Sequence, residues 1–214
     1  MRRVLGLMLL VLAGCPADDH SSPDATPGTG LIVGWVTHPQ MVPGPVEDDY
    51  SLSSVAIGLR NLRVVGDAGA GDPRTTAPVV DLAWSDKVQP RDVAFPDAPP
   101  GLYSRMLASV ERGAAPYAFE LRGTVMTMTG LEPYVIRDVD ALAVDMDFQI
   151  VADPGTSTTI VVRVELDDVL DAADFAAAPV IDGARTIETG DAQMPSIRSH
   201  LAEAFGVHAS DQPP

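Results

Sequence analysis

An apolar period of two residues constrains this chain more than any other feature. Leu142, Val144, Met146, Phe148 and Ile150 recur at every second position, and Ile160, Val162, Val164 and Leu166 do the same. Successive side chains of a strand point to opposite faces, so this spacing gathers one apolar row on a single face of a sheet, where a helix would scatter it. The period returns from 31 to 37, at Val55, Ile57 and Leu59, at Val80, Leu82 and Trp84, from 102 to 110, and at Tyr117, Phe119, Leu121 and Val125. Short apolar pieces end at Phe95 and run from 134 to 137.

The punctuation between these runs predicts how they connect. After Leu59 the apolar parity shifts to Leu62 and Val64, which calls for a bulge near Asn61, because one extra residue exchanges the two faces. The stretch from 66 to 78 has the glycine, aspartate and proline content of a long loop, and Pro100-Gly101 suits the centre of a type II turn. The two clearest runs flank Asp153-Pro154-Gly155 and are expected to pair as a hairpin. A loop centred on Pro154 sets Val144 opposite Val164 and Asp145 opposite Arg163, an exposed ion pair contributing less than about 1 kcal/mol.

Past Leu166 the period lengthens. Val169, Leu170, Ala173 and Phe175 fit a short helical segment, and Ile197, Leu201, Ala204 and Phe205 a last helix with Pro195 in its first turn and Gly206 as its stop. About eight strands without regular strand-helix alternation predict a mainly β fold, an antiparallel β-sandwich of transthyretin or immunoglobulin type with short C-terminal helices.

The N-terminus has a different logic. Arg2 and Arg3 precede an apolar run from 4 to 13 that ends in Gly14-Cys15, the layout of a secretory signal. The run is about half the roughly 20 residues a membrane span needs. Leu12-Ala13-Gly14-Cys15 resembles the lipobox of bacterial lipoproteins at all four positions. The resemblance implies cleavage before Cys15, a diacylglyceryl group on its sulfur and acylation of the new amino terminus. Two or three acyl chains, at about 0.8 kcal/mol per buried CH₂, anchor a protein stably. The competing reading, a buried free thiol, places a lone reactive group in an oxidising compartment. Pro16 stands where inner-membrane members of that family often carry Asp, so the resemblance implies an outer-membrane protein facing the periplasm or the cell surface. The expected organisation is a signal peptide over 1–14, a lipidated cysteine and tether over 15–30, one domain over 31–207 and a tail over 208–214. As a flexible coil the tether reaches about 20 Å.

Charge narrows the partners. The chain carries 14 basic and 30 acidic residues, for a net charge of −16, and loss of Arg2 and Arg3 with the signal leaves 12 against 30, or −18. Such a polyanion repels phosphate backbones, which excludes nucleic acid, and it repels anionic lipid surfaces, which leaves the lipid to hold the membrane.

The order of features over 31–207 resembles a group of bacterial lipoproteins with a transthyretin-like domain of unknown function. The resemblance rests on the lipobox, the tether, Val55-Ala56-Ile57 within a strand, and Pro100-Gly101-Leu102-Tyr103 entering another. It implies a binding or adhesion module and transfers no catalytic residues.

Signals for catalysis are absent. The histidines are His20, His38, His200 and His208; no Gly-x-Ser-x-Gly elbow accompanies them, and lipidation consumes the one cysteine. His200, Glu203 and His208 make a poor metal trio, because Gly206 separates the last from the helix of the other two. Asp138, Asp140, Asp145 and Asp147 are the calcium candidates, with Asp167, Asp168, Asp171 and Asp174 as a second group; neither has EF-hand spacing, and solvated carboxylates are the competing reading. Trp35, Trp84 and Tyr103 could stack sugars or fill the core. The expectation is therefore a lipid-anchored, non-enzymatic envelope module binding a protein or glycan, with a metal-dependent or accessory enzyme as the alternative.

Overall fold

Every alternating run forms a strand, but the partners differ from those the sequence suggests. The computed structural model describes residues 30–39, 50–66 and 72–208. Cys15, the tether residues before Gly30, His20 and the tail beyond His208 lie outside them.

Among the described residues there are twelve strands and two α-helices. In chain order they are β1 (Leu31–His38), β2 (Tyr50–Gly66), β3 (Thr76–Ser85), β4 (Val93–Phe95), β5 (Gly101–Val110), β6 (Phe119–Thr127), β7 (Gly130–Asp138), β8 (Leu142–Ala152), β9 (Thr158–Glu165), α1 (Asp167–Asp171), β10 (Val180–Ile181), β11 (Ala184–Glu188), α2 (Met194–Glu203) and β12 (Phe205–His208). Gly30, counted above with the tether, is buried and accepts a 3.1 Å bond from the Thr158 amide. At the other end His208 pairs with Val161 inside β12, one residue past the expected boundary.

The strands make two open sheets. One has the order β12-β9-β1-β4; the other runs β10-β11-β7-β6-β2-β5-β8, with β3 on the remaining edge of β2. Buried side chains of both sheets, such as Val33, Ile160 and Val162 from the first and Ile57, Leu121 and Val144 from the second, belong to one continuous core. Val169 and Leu170 of α1 and Ile197 and Leu201 of α2 extend it.

Strand β2 organises the larger sheet. Val55 pairs with Trp84 of β3 and Leu121 of β6, whereas Leu59 pairs with Val80 of β3 and Val110 of β5. One edge of β2 therefore belongs to β3, while the other passes from β6 to β5 at Gly58. There the connector from β5 to β6 closes on the strand, with the Glu111 amide donating to Gly58 O at 2.8 Å and the Gly58 amide donating to Ala118 O at 2.9 Å. A Cβ at Gly58 would stand 2.3 Å from the Glu111 carbonyl oxygen, so the fork requires glycine.

The expected bulge is present. Asn61 has φ 53°, and the register against β5 shifts between Arg60 and Arg63. Leu59 and Leu62 are consequently both buried. Pro78 lies inside β3 rather than in a loop, between the pairs Arg60↔Val79 and Leu62↔Ala77. It sits opposite the bulged residue on a strand with no second neighbour, where a missing N–H breaks no ladder bond.

Four other expectations are corrected. First, β8 and β9 do not form a hairpin: Val144 pairs with Ala108 of β5, and Val164 pairs with Thr37 of β1 and Phe205 of β12. Alternation fixes which face is buried but not which strand lies alongside, and residues 153–157 carry the chain from one sheet to the other. Second, the sheets are mixed, since β1 runs parallel to β9 and β7 parallel to β11. Third, the tight turn before β5 is at Pro96-Asp97, closed by the Ala98 amide on Phe95 O at 3.2 Å, while Gly101 with φ 149° already belongs to the strand. Fourth, α2 ends at Glu203, and Phe205 and Gly206 start β12, because pairing with β9 satisfies their backbone better than another helical turn would.

Candidate functional site

The parallel register of β1 on β9 makes His38 and Glu165 partners at the ends of their strands. The Leu166 amide donates to His38 O at 2.7 Å, and the chain turns at once into α1, whose first residue is Asp167. Three side chains 129 positions apart or less in sequence terms thus converge. His38 Nδ1 lies 2.7 Å from Asp167 Oδ2 and 3.3 Å from Glu165 Oε2. The other Glu165 oxygen receives Arg163 at 3.4 Å. Among the described residues this is the one set of three or more His, Cys, Asp or Glu ligand atoms found mutually within 4.8 Å.

Asp167 also borders a cleft of about 800 Å³, formed where α1 and the segment after it face Tyr50 and the turn between β6 and β7. Asp171 and Asp174 line it from the α1 side, Met126 and Met128 from the β6–β7 turn, and Arg185 of β11 also contributes. Met128 is fully exposed. The arginine is already engaged: it donates to Glu132 Oε2 at 2.6 Å and to the carbonyls of Ala176 and Ala178 at 3.2 Å each. That bond, with help from the Thr129 and Thr127 hydroxyls, holds the Glu132 carboxyl down to about 2. Because Glu132 offsets Arg185, the net charge of the cleft is set by the aspartates. Beneath it Phe175 packs on Tyr134 with ring centroids 4.6 Å apart, and burial pushes the Tyr134 phenol up while its hydroxyl donates to Ser51 O at 2.9 Å.

The residues singled out from sequence fall elsewhere. Asp138 and Asp140 share the Arg198 guanidinium, and Asp145 and Asp147 share that of Arg105. The four calcium candidates are thus divided between two arginines rather than gathered at one point, and Asp145 bonds Arg105, not Arg163. Asp138 is fully buried. Burial alone would raise its pKa, but hydrogen bonds from Arg198, Thr189 and the amides of Asp140 and Val139 outweigh that and hold it below the usual carboxylate range. In the second acidic group Asp167, Asp171 and Asp174 line the cleft and Asp168 does not. His200 and Glu203 lie on α2, while the His208 side chain lies outside the described ones. Trp35, Trp84 and Tyr103 are all buried, with the Tyr103 hydroxyl donating to Pro99 O at 2.6 Å, so these three form core and not a sugar platform.

The His38, Glu165 and Asp167 cluster escaped sequence reasoning because it depends on a parallel pairing between strands far apart in the chain. The one local signal is the Glu-Leu-Asp-Asp run at the end of an alternating strand, where period two leaves Glu165 off the core face.

No helix of the described residues is long and apolar enough to cross a membrane. Compared with protein-family models, with curated proteins and with solved structures, the chain gives no match in any of the three.

Proposed function

We propose that this chain is a lipid-anchored protein of the bacterial envelope, held at the outer membrane through Cys15 and facing the periplasm or cell surface. Its β domain, read as a sandwich of transthyretin or immunoglobulin kind, acts as a non-enzymatic binding module. The ligand is a cationic, partly apolar peptide or protein segment, taken up in the cleft between α1 and the β6–β7 turn.

The lipobox residues Leu12 to Cys15 support the anchor. The observation that carries the binding reading is the composition of the cleft: three aspartates from the α1 side, exposed methionines from the β6–β7 turn, and an arginine already matched by Glu132. Methionine adapts to varied apolar partners, and carboxylates in excess of nearby cations attract positive charge most strongly in a concave site. A polyanionic chain favours the same class of partner at long range.

Two measurements on one preparation test this. Intact-mass analysis of detergent-extracted protein should give a chain starting at Cys15 with acyl groups attached; an unmodified chain in the soluble fraction would remove the anchor. A synthetic peptide alternating lysine and leucine should bind, and Asp171→Lys should weaken it by about tenfold at low salt. Equal binding to both proteins would locate the interaction outside the cleft and sink the assignment.

A further inference from the structure

We infer that His38, Glu165 and Asp167 form a binding site for a divalent transition-metal ion of the zinc type, beside the cleft that Asp167 also lines.

The first support is donor geometry. A tetrahedral zinc ion with bonds of about 2.0–2.2 Å holds its ligand atoms about 3.4 Å apart. His38 Nδ1 and Glu165 Oε2 are 3.3 Å apart already, and Nδ1 and Asp167 Oδ2 are 2.7 Å apart. The Asp167 oxygen, now at hydrogen-bond distance from the imidazole, would have to move out by about 0.7 Å to reach that ligand spacing.

The second support is that the backbone fixes the three positions. His38 and Glu165 are register partners, and the 2.7 Å bond from the Leu166 amide to His38 O ties the strand end to the start of α1. Thr37, Val164, Leu166 and Val169 are all buried around them. The donors therefore stand on rigid elements, while their own side chains are 53%, 42% and 36% exposed, open to an incoming ion. Arg163, on Glu165 Oε1, orients that carboxylate and leaves Oε2 toward the imidazole, the part an outer partner plays around a metal.

The third support is charge and donor type. One imidazole faces two carboxylates, and a single ring N–H on Nδ1 can serve only one of them at a time. A dication bonds all three. The imidazole nitrogen favours zinc and its neighbours cobalt, nickel and copper over calcium and magnesium, which prefer oxygen alone. Three protein donors leave a fourth position for water.

The test uses the full chain, stripped with chelator and titrated with Co²⁺ while its visible absorption is followed. One Co²⁺ per chain should bind, Zn²⁺ should displace it, and excess Ca²⁺ or Mg²⁺ should not. His38→Gln and Asp167→Asn should each weaken Co²⁺ binding by about tenfold or more, with unchanged far-UV circular dichroism, and His200→Gln on α2 should bind as the parent does. No saturable Co²⁺ binding, or affinity unchanged in both His38→Gln and Asp167→Asn, overturns the proposal and leaves the cluster a hydrogen-bonded surface pair. These readouts involve no peptide, and Asp171→Lys probes the cleft without altering any of the three donors, so failure of one reading is distinguishable from failure of the other.

Discussion

At the scale of single residues, the costliest group in this domain is the Asp138 carboxylate, wholly buried at the end of β7. An isolated buried charge is strongly unfavourable, and here Arg198 of α2, Thr189 and two backbone amides satisfy it. Removing one member of such a pair leaves the other uncompensated, so Arg198→Leu should cost about 3 kcal/mol in urea unfolding at neutral pH. The pH dependence has a definite sign. The folded pKa of Asp138 is depressed, so its contribution is complete above its unfolded value of about 3.9 and is lost as pH falls through the lower folded value. The gap between parent and Arg198→Leu should therefore narrow as pH is lowered below about 4. A gap that widens in acid would show that Asp138 is not the charge Arg198 compensates. Arg198 and Arg105 between them pair with all four carboxylates of the acidic cluster at 138–147.

At the scale of elements, the cleft is bordered by the tie between β7 and β11. Their parallel pairing puts Arg185 beside Tyr134, and the arginine reaches Glu132 on one side and the carbonyls of Ala176 and Ala178 on the other. One guanidinium thus fixes a sheet to the chain segment that walls the cleft. Since Glu132 is held down to about 2, its charge, and with it the tie, should persist through the ordinary carboxylate range and fail only near pH 2. Side-chain carboxyl NMR should place the Glu132 midpoint well below that of other glutamates, and Arg185→Gln should raise it toward the ordinary value of about 4.3, stopping short of it while the Thr129 and Thr127 hydroxyls still donate. A midpoint already ordinary in the parent would mean the tie does not form in solution.

Edges at this scale are also managed. β4 and β10 are only three and two residues long, and β8, the other edge of the larger sheet, carries Asp145 and Asp147 outward. Short and charged edges resist pairing with another chain.

At the scale of the whole molecule, the net charge of −16 acts on the compact state as self-repulsion. Raising the ionic strength from about 0.01 M to about 0.15 M shortens the screening length from about 30 Å to about 8 Å. The melting temperature should rise by about 2–4 °C over that range, the shift expected for about 1 kcal/mol in a domain of this size. A fall would mean that attractive ion pairs such as Arg137–Glu188 outweigh the repulsion.

What the sequence by itself determined is what local geometry controls. Side-chain alternation located the strands, the parity change at Leu62 marked the bulge at Asn61, and the change of period after Leu166 marked the short helices. Each depends on neighbours a few positions apart. Only the tertiary structure decided that β8 and β9 part into different sheets, that β1 lies parallel to β9, and that β2 forks at Gly58. Period two states which face is buried, and many strand orders bury the same faces equally well. The site was hidden for the same reason: His38 meets Glu165 and Asp167 through one pairing across the whole chain, and Asp171 and Asp174 become a cleft wall only when α1 settles against the β6–β7 turn.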